Sequence, residues 1–204
     1  MFHALLAEPH LLDYDTLYIY TTTTEQSAYQ FLEHGFSNNL NRGAISYLFK
    51  EYENDKSIDM TIKDFCENFK NEPEFTDTEK NKVTVHLSSK AVPMPDDLNR
   101  KKKNLVIFDD CVTKKDQMYQ REYFTRGRHN NCTVFYLTQR YYEVPKIIRD
   151  NANVIILFKQ PQKLLTLLFN EIDAQNSDSI KRMANGAWNS RHGYIALNLS
   201  LIHI

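Results

Sequence analysis

From residue 104 onward, short apolar runs alternate with amphipathic stretches. NLVIFDD (104–110), CTVFYLTQ (132–139) and NVIILFKQ (153–160) each carry a continuous apolar run of strand length. Such runs, separated by helical patterns, predict parallel strands buried on both faces by helices. The intervening stretches KKDQMYQREYFTRGR (114–128) and VPKIIRDN (144–151) read as helices. After the third run, PQKLLTLLFNEID (161–173) and SDSIKRMANGAW (177–188) predict two more, and GYIALNLS (193–200) a last strand.

The first half is less regular. Phe2, Leu5 and Leu6 have helical spacing and are followed by Pro9, so residues 1–9 read as the rear of an amphipathic helix. TLYIYTTTT (16–24) is aromatic and β-branched, hence a strand. EQSAYQFLEHGF (25–36), NRGAISYLFKEYEN (41–54) and TIKDFCENFKN (61–71) repeat apolar residues at helical spacing, while EPEFTDTEKNK (72–82) reads as a loop. KVTVHLSS (82–89) is a short strand ended by the segment with Pro93 and Pro95. The expectation is a single α/β domain over residues 1–199 and a tail, 200–204, that nothing in the fold requires.

Composition narrows the class only a little. A chain that is 42% hydrophobic with 5 Gly and 6 Pro is a folded globular protein, not a disordered or fibrous one. Its net charge of -1 gives no overall attraction to nucleic acid, so any such contact must be local or come from several subunits. Cys66, Cys111 and Cys132 are odd in number and widely spaced, as expected of reduced, buried thiols. His129 with Cys111 and Cys132 lacks zinc-ligand spacing. No run approaches the ~18–20 apolar residues of a membrane span, and no signal-like N-terminus is present. The expectation is an intracellular protein, not a secreted one.

In open α/β sheets ligands sit beyond the carboxyl ends of the strands. The three clear strands deliver Asp109-Asp110, Thr138-Gln139 and Lys159-Gln160 there. Any strand end tends to be polar, so an isolated acidic pair is weak; the combination is stronger. A receiver-type phosphoacceptor domain has a similar set, but it needs one more strand between the acidic pair and the threonine. Only 27 residues separate Asp110 from Thr138, and they hold a single helix, so that reading fails.

The segment from Asn104 to Pro161 resembles the poxvirus-type viral genome-packaging ATPases of the FtsK/HerA superfamily, found in large DNA viruses, virophages and Polinton-like elements. YDTLYIYTTTTEQSAYQFLEHGF resembles the second strand and helix of that family. The resemblance implies an additional-strand P-loop NTPase (RecA-like) fold with a parallel sheet. It also implies ATP hydrolysis, Mg²⁺, double-stranded DNA as the moved substrate, a homo-oligomeric ring, and capsid or portal-vertex partners in a viral factory or virion.

By the same resemblance, Asp109 corresponds to the Walker B acid that holds Mg²⁺ through its water shell, and Asp110 to the general base that polarises the attacking water. Gln139 corresponds to the sensor glutamine between that water and the γ-phosphate, where an amide can donate and accept at once. Arg126 and Arg128 lie where the family places basic residues near the subunit boundary, so either could serve a neighbouring nucleotide as an arginine finger. A solvated, positively charged helix end is an equally simple reading. Arg149 and Asn151 match the family without an assigned chemistry. Residues 100–103, RKKK, could touch DNA phosphates, although a charge run before a buried strand is usually a solvated flank.

A phosphate-binding loop, GxxxxGK[ST], is absent: the glycines are at 35, 43, 127, 186 and 193, and none precedes a lysine. In the family that loop precedes the helix leading into YDTLYIYT, so the sequence is expected to begin inside that helix. The family's phosphate-loop strand lies between the sensor strand and the last strand. Without it, those two neighbours should lack backbone partners, and the chain should fold poorly or rearrange. The alternative is a non-catalytic remnant retaining oligomerisation or DNA contact.

Overall fold

The computed structural model describes residues 11–55, 57–77, 82–111, 117–173 and 175–199. The expected helix over 1–9, the start of the 114–128 stretch and the 200–204 tail lie outside these residues. The chain divides into two compact units, Met1–Ile148 and Arg149–Ile204.

The first unit is built on four parallel strands. These are β1 (Thr16–Thr21), β2 (Thr84–Ser88), β3 (Asn104–Asp109) and β4 (Cys132–Leu137), in the order β2-β1-β3-β4. Register pairs Thr21 with Asp109 and Asp109 with Leu137, so the carboxyl ends of the three strands β1, β3 and β4 are level. Period-two alternation sorts the side chains. Leu17, Ile19, Leu105 and Ile107 join one core with helices α1 (Ser27–Ser37), α2 (Arg42–Asn54) and α3 (Ile62–Asn68). Tyr20, Val106 and Phe108 face a second core with Tyr123 of α4 (Met118–Arg126), Val92 and Leu98. β3 is therefore buried on both faces, which explains its unbroken apolar run.

Local signals set the helix starts. Asn41 caps α2, its Oδ1 accepting from the Ala44 N–H at 2.8 Å, and Thr61 caps α3 by accepting from the Asp64 N–H at 3.2 Å. Arg42 ties the approach to β1 by donating to the Leu12 carbonyl and, at 2.9 Å, to that of Tyr14, while stacking on the Tyr14 ring.

The second unit holds β5 (Val154–Phe158), α6 (Gln162–Asp173), α7 (Ser177–Ala187) and β6 (Tyr194–Asn198); a short helix α5 (Lys146–Asp150) runs into it from the first unit. Here the structure corrects the sequence. β5 is not a member of the parallel sheet among the described residues: it pairs antiparallel with β6, Ile156 opposite Ala196. Its burial alternates accordingly. Leu157 is buried, whereas Val154, Ile156 and Phe158 are about half exposed. A hairpin-like pair with one covered face needs only every second residue inside, so the continuous apolar run overstated the burial. The Trp188 indole N–H donates to the Leu157 carbonyl at 3.3 Å, fastening the end of α7 to β5. Among the described residues β4 has a hydrogen-bonded strand on one side only.

Candidate functional site

Asp109 ends β3 and Asp110 turns the chain out of the sheet. Asp110 adopts the left-handed conformation, φ 49°, a region that Asp tolerates better than most residues with a Cβ. Its N–H donates to the Leu137 carbonyl at 3.2 Å, so the acidic pair is tied to the end of β4. Thr138 and Gln139 follow directly. The result is a cleft of about 410 Å³ lined by Asp109, Asp110, Leu137, Thr138 and Gln139 on one side and by Gln26, Ala28 and Tyr29 on the other.

The structure therefore brings together Asp109, Asp110 and Gln139. Two neighbours that sequence reasoning missed hold Asp109. The Tyr29 hydroxyl donates to Asp109 Oδ2 at 2.7 Å, and the nearby Thr21 hydroxyl favours its charged form. Burial raises the Asp109 carboxyl above its usual range; the Tyr29 bond opposes this, the Asp110 charge adds to it, and the Thr21 hydroxyl opposes it. Burial, reinforced by the adjacent carboxylate, also pushes the Tyr29 phenol far up, so it remains a proton donor. Thr21 extends the network: its Oγ1 accepts from the Thr23 N–H at 3.2 Å, and the Thr23 hydroxyl accepts from Gln26 Nε2 at 2.6 Å. Thr21, Thr23 and Gln26 thus form one chain of polar contacts at the end of β1.

Tyr29 lies 80 residues from Asp109 in sequence and reads there as one more apolar position of an amphipathic helix. A retrievable signal was Thr21, the polar strand end whose register neighbour is Asp109.

Arg126 and Arg128 lie elsewhere. α4 leads away from the cleft, and the loop after it meets the start of β3, where the Asn104 N–H donates to the Asn131 carbonyl. Five residues of β3 separate that end from Asp109, roughly 16 Å. Arg126 is paired with Glu122 and, at 3.4 Å, with Asp96. Arg128 is exposed and makes no ion pair with a described residue. The RKKK run lies beside this loop, the Asn131 amide donating to the Lys102 carbonyl at 2.9 Å. Lys103 is paired with Asp13 and Arg100 with Asp96, as in a solvated flank balanced by local acids. Lys159 and Gln160 belong to the second unit. So does Arg149, which bonds Glu171 at 3.0 Å and ties the end of α5 to α6.

Among the described residues no three His, Cys, Asp or Glu side chains cluster to hold a metal directly. A Mg²⁺ held through its water shell needs less. A half-buried carboxylate beside a second one, with its charged form disfavoured by burial, suits an outer-sphere cation that would relieve both. No helix among the described residues is long and apolar enough to cross a membrane. Compared with protein-family models, curated proteins and solved structures, the chain matches none of them.

Proposed function

We propose that this chain carries the cation and water end of an ATPase site in an ATP-driven, ring-forming DNA translocase of the genome-packaging type. The observation that carries the proposal is the convergence of Asp109, Asp110 and Gln139 at the level carboxyl ends of two adjacent parallel strands. In this reading Asp109 would hold Mg²⁺ through water, Asp110 would take the proton of the attacking water, and Gln139 would position that water against the γ-phosphate. The sheet order supports it too, since among the described residues β4 is paired on one side only, and the family places its phosphate-loop strand on the other. These residues account for the cation and the water; cradling the phosphates is left to a GxxxxGK[ST] segment outside them. Of the two arginines, Arg128 is the better finger, because Arg126 is already engaged by two carboxylates.

Steady-state ATP hydrolysis, with and without double-stranded DNA, tests the proposal on the chain joined to a GxxxxGK[ST] segment. DNA-stimulated turnover that Asp110→Asn lowers by a factor of about 10²–10⁴ is expected. Turnover equal in the two proteins removes Asp110 as the base. No turnover in either favours a non-catalytic remnant.

A further inference from the structure

We infer that Tyr29 is a positioning residue for Asp109, its hydroxyl holding the carboxylate in one rotamer at the cleft. The inference rests on the cation role proposed for Asp109. Three observations carry it. Tyr29 is only 5% exposed and belongs to the same core as Phe31, Leu32 and Phe36, so its ring is fixed by packing. Its hydroxyl nevertheless reaches out of that core to Asp109 Oδ2 at 2.7 Å. It also lines the cleft that Asp109, Asp110 and Gln139 share, so the contact lies in the site itself.

A carboxylate that meets a cation only through water has no metal bond to fix its direction. Its aim must come from the protein, and donors behind a ligand are what orient it. A hydroxyl on a short, rigid aromatic stem is well suited, because a tyrosine has two side-chain torsions and both are set by the core. The bond also links α1 to the end of β3, so displacing the helix would turn the acid.

The test is NMR on the full chain joined to a GxxxxGK[ST] segment, so that nucleotide can bind. Scalar couplings report the Asp109 side-chain rotamer, and Mn²⁺ added with ATP stands in for Mg²⁺ by broadening the signals of residues near it. Wild type, Tyr29→Phe and Phe36→Leu are compared; the last loosens the same helix without touching Asp109. A single Asp109 rotamer is expected in wild type and Phe36→Leu, with averaging in Tyr29→Phe and about tenfold more Mn²⁺ needed for equal broadening. A single rotamer in all three, averaging already in wild type, or averaging in both variants overturns the inference. Mn²⁺ that fails to broaden Asp109 in wild type overturns the cation reading instead, and the rotamers still decide the role of Tyr29.

Discussion

Replacing Asp109 by asparagine should stabilise the fold at neutral pH while disabling the proposed site. The carboxyl is half-buried and adjoins Asp110, and burial, the largest influence, raises its proton affinity on folding. With the folded pKa above the unfolded value of about 3.9, the acid's contribution to stability is full below that value. It is lost as pH rises through the folded value. At neutral pH the ionised acid therefore works against the fold. Each tenfold rise in proton affinity on folding corresponds to about 1.4 kcal/mol. Asparagine removes that penalty and still offers Tyr29 an acceptor, although the bond loses its charge-assisted share, roughly 1 kcal/mol. Water reaching the cleft side of the carboxylate reduces both terms, so the net gain is under about 1 kcal/mol. Urea unfolding at pH 7.5 should show it as a midpoint higher by less than about 0.5 M, shrinking as pH falls toward 4. A midpoint below that of wild type at pH 7.5, with the deficit growing as pH rises, would refute the reasoning, because the donors would then outweigh the burial.

Other outcomes follow from the same packing and pairing. Ile107 is fully buried in β3 between two neighbouring strands, so Ile107→Ala should cost about 3–4 kcal/mol in urea unfolding. A Cβ at Gly35 would come within 2.6 Å of Ile45 Cγ1, so Gly35→Ala should cost about 1–3 kcal/mol; combined with Ile45→Ala, the total should fall short of the sum of the single losses. Arg126→Ala, which breaks two exposed pairs, should change stability by under about 1 kcal/mol. Arg128→Ala should leave stability unchanged but lower turnover of the loop-bearing protein; mixing it with Asp110→Asn subunits should restore part of that turnover if the arginine acts across a boundary. Burial pushes the Cys66 and Cys132 thiols up to about 12, so alkylation at pH 8, followed by mass spectrometry, should be slow at both until the chain is denatured.

The elements and the acidic half of the site were largely legible in the sequence, for a physical reason. β3 is buried on both faces, so its apolar run is uninterrupted, and the first polar residues after it had to be the strand end. The same logic located Gln139 after β4. It failed for β5, because five apolar residues in a row do not distinguish burial on two faces from burial on one; the pairing with β6 is fixed by residues some forty positions away. Tyr29 was hidden for a different reason. Its ring serves the core and its hydroxyl serves the site, and helical periodicity registers only the ring. The ion pairs of Arg126 divide in the same way: Glu122, four residues earlier on α4, is readable from spacing, while Asp96 is brought near only by the fold.

The proposed role of Asp109 and Asp110 is the Mg²⁺ and water end of an ATPase. Its most direct test is the Mg²⁺-dependent, DNA-stimulated rate of ATP hydrolysis by the chain joined to a GxxxxGK[ST] segment, measured beside its Asp110→Asn counterpart. The account predicts a rate that rises with DNA and falls by a factor of about 10²–10⁴ in the variant; equal rates in the two proteins would contradict it.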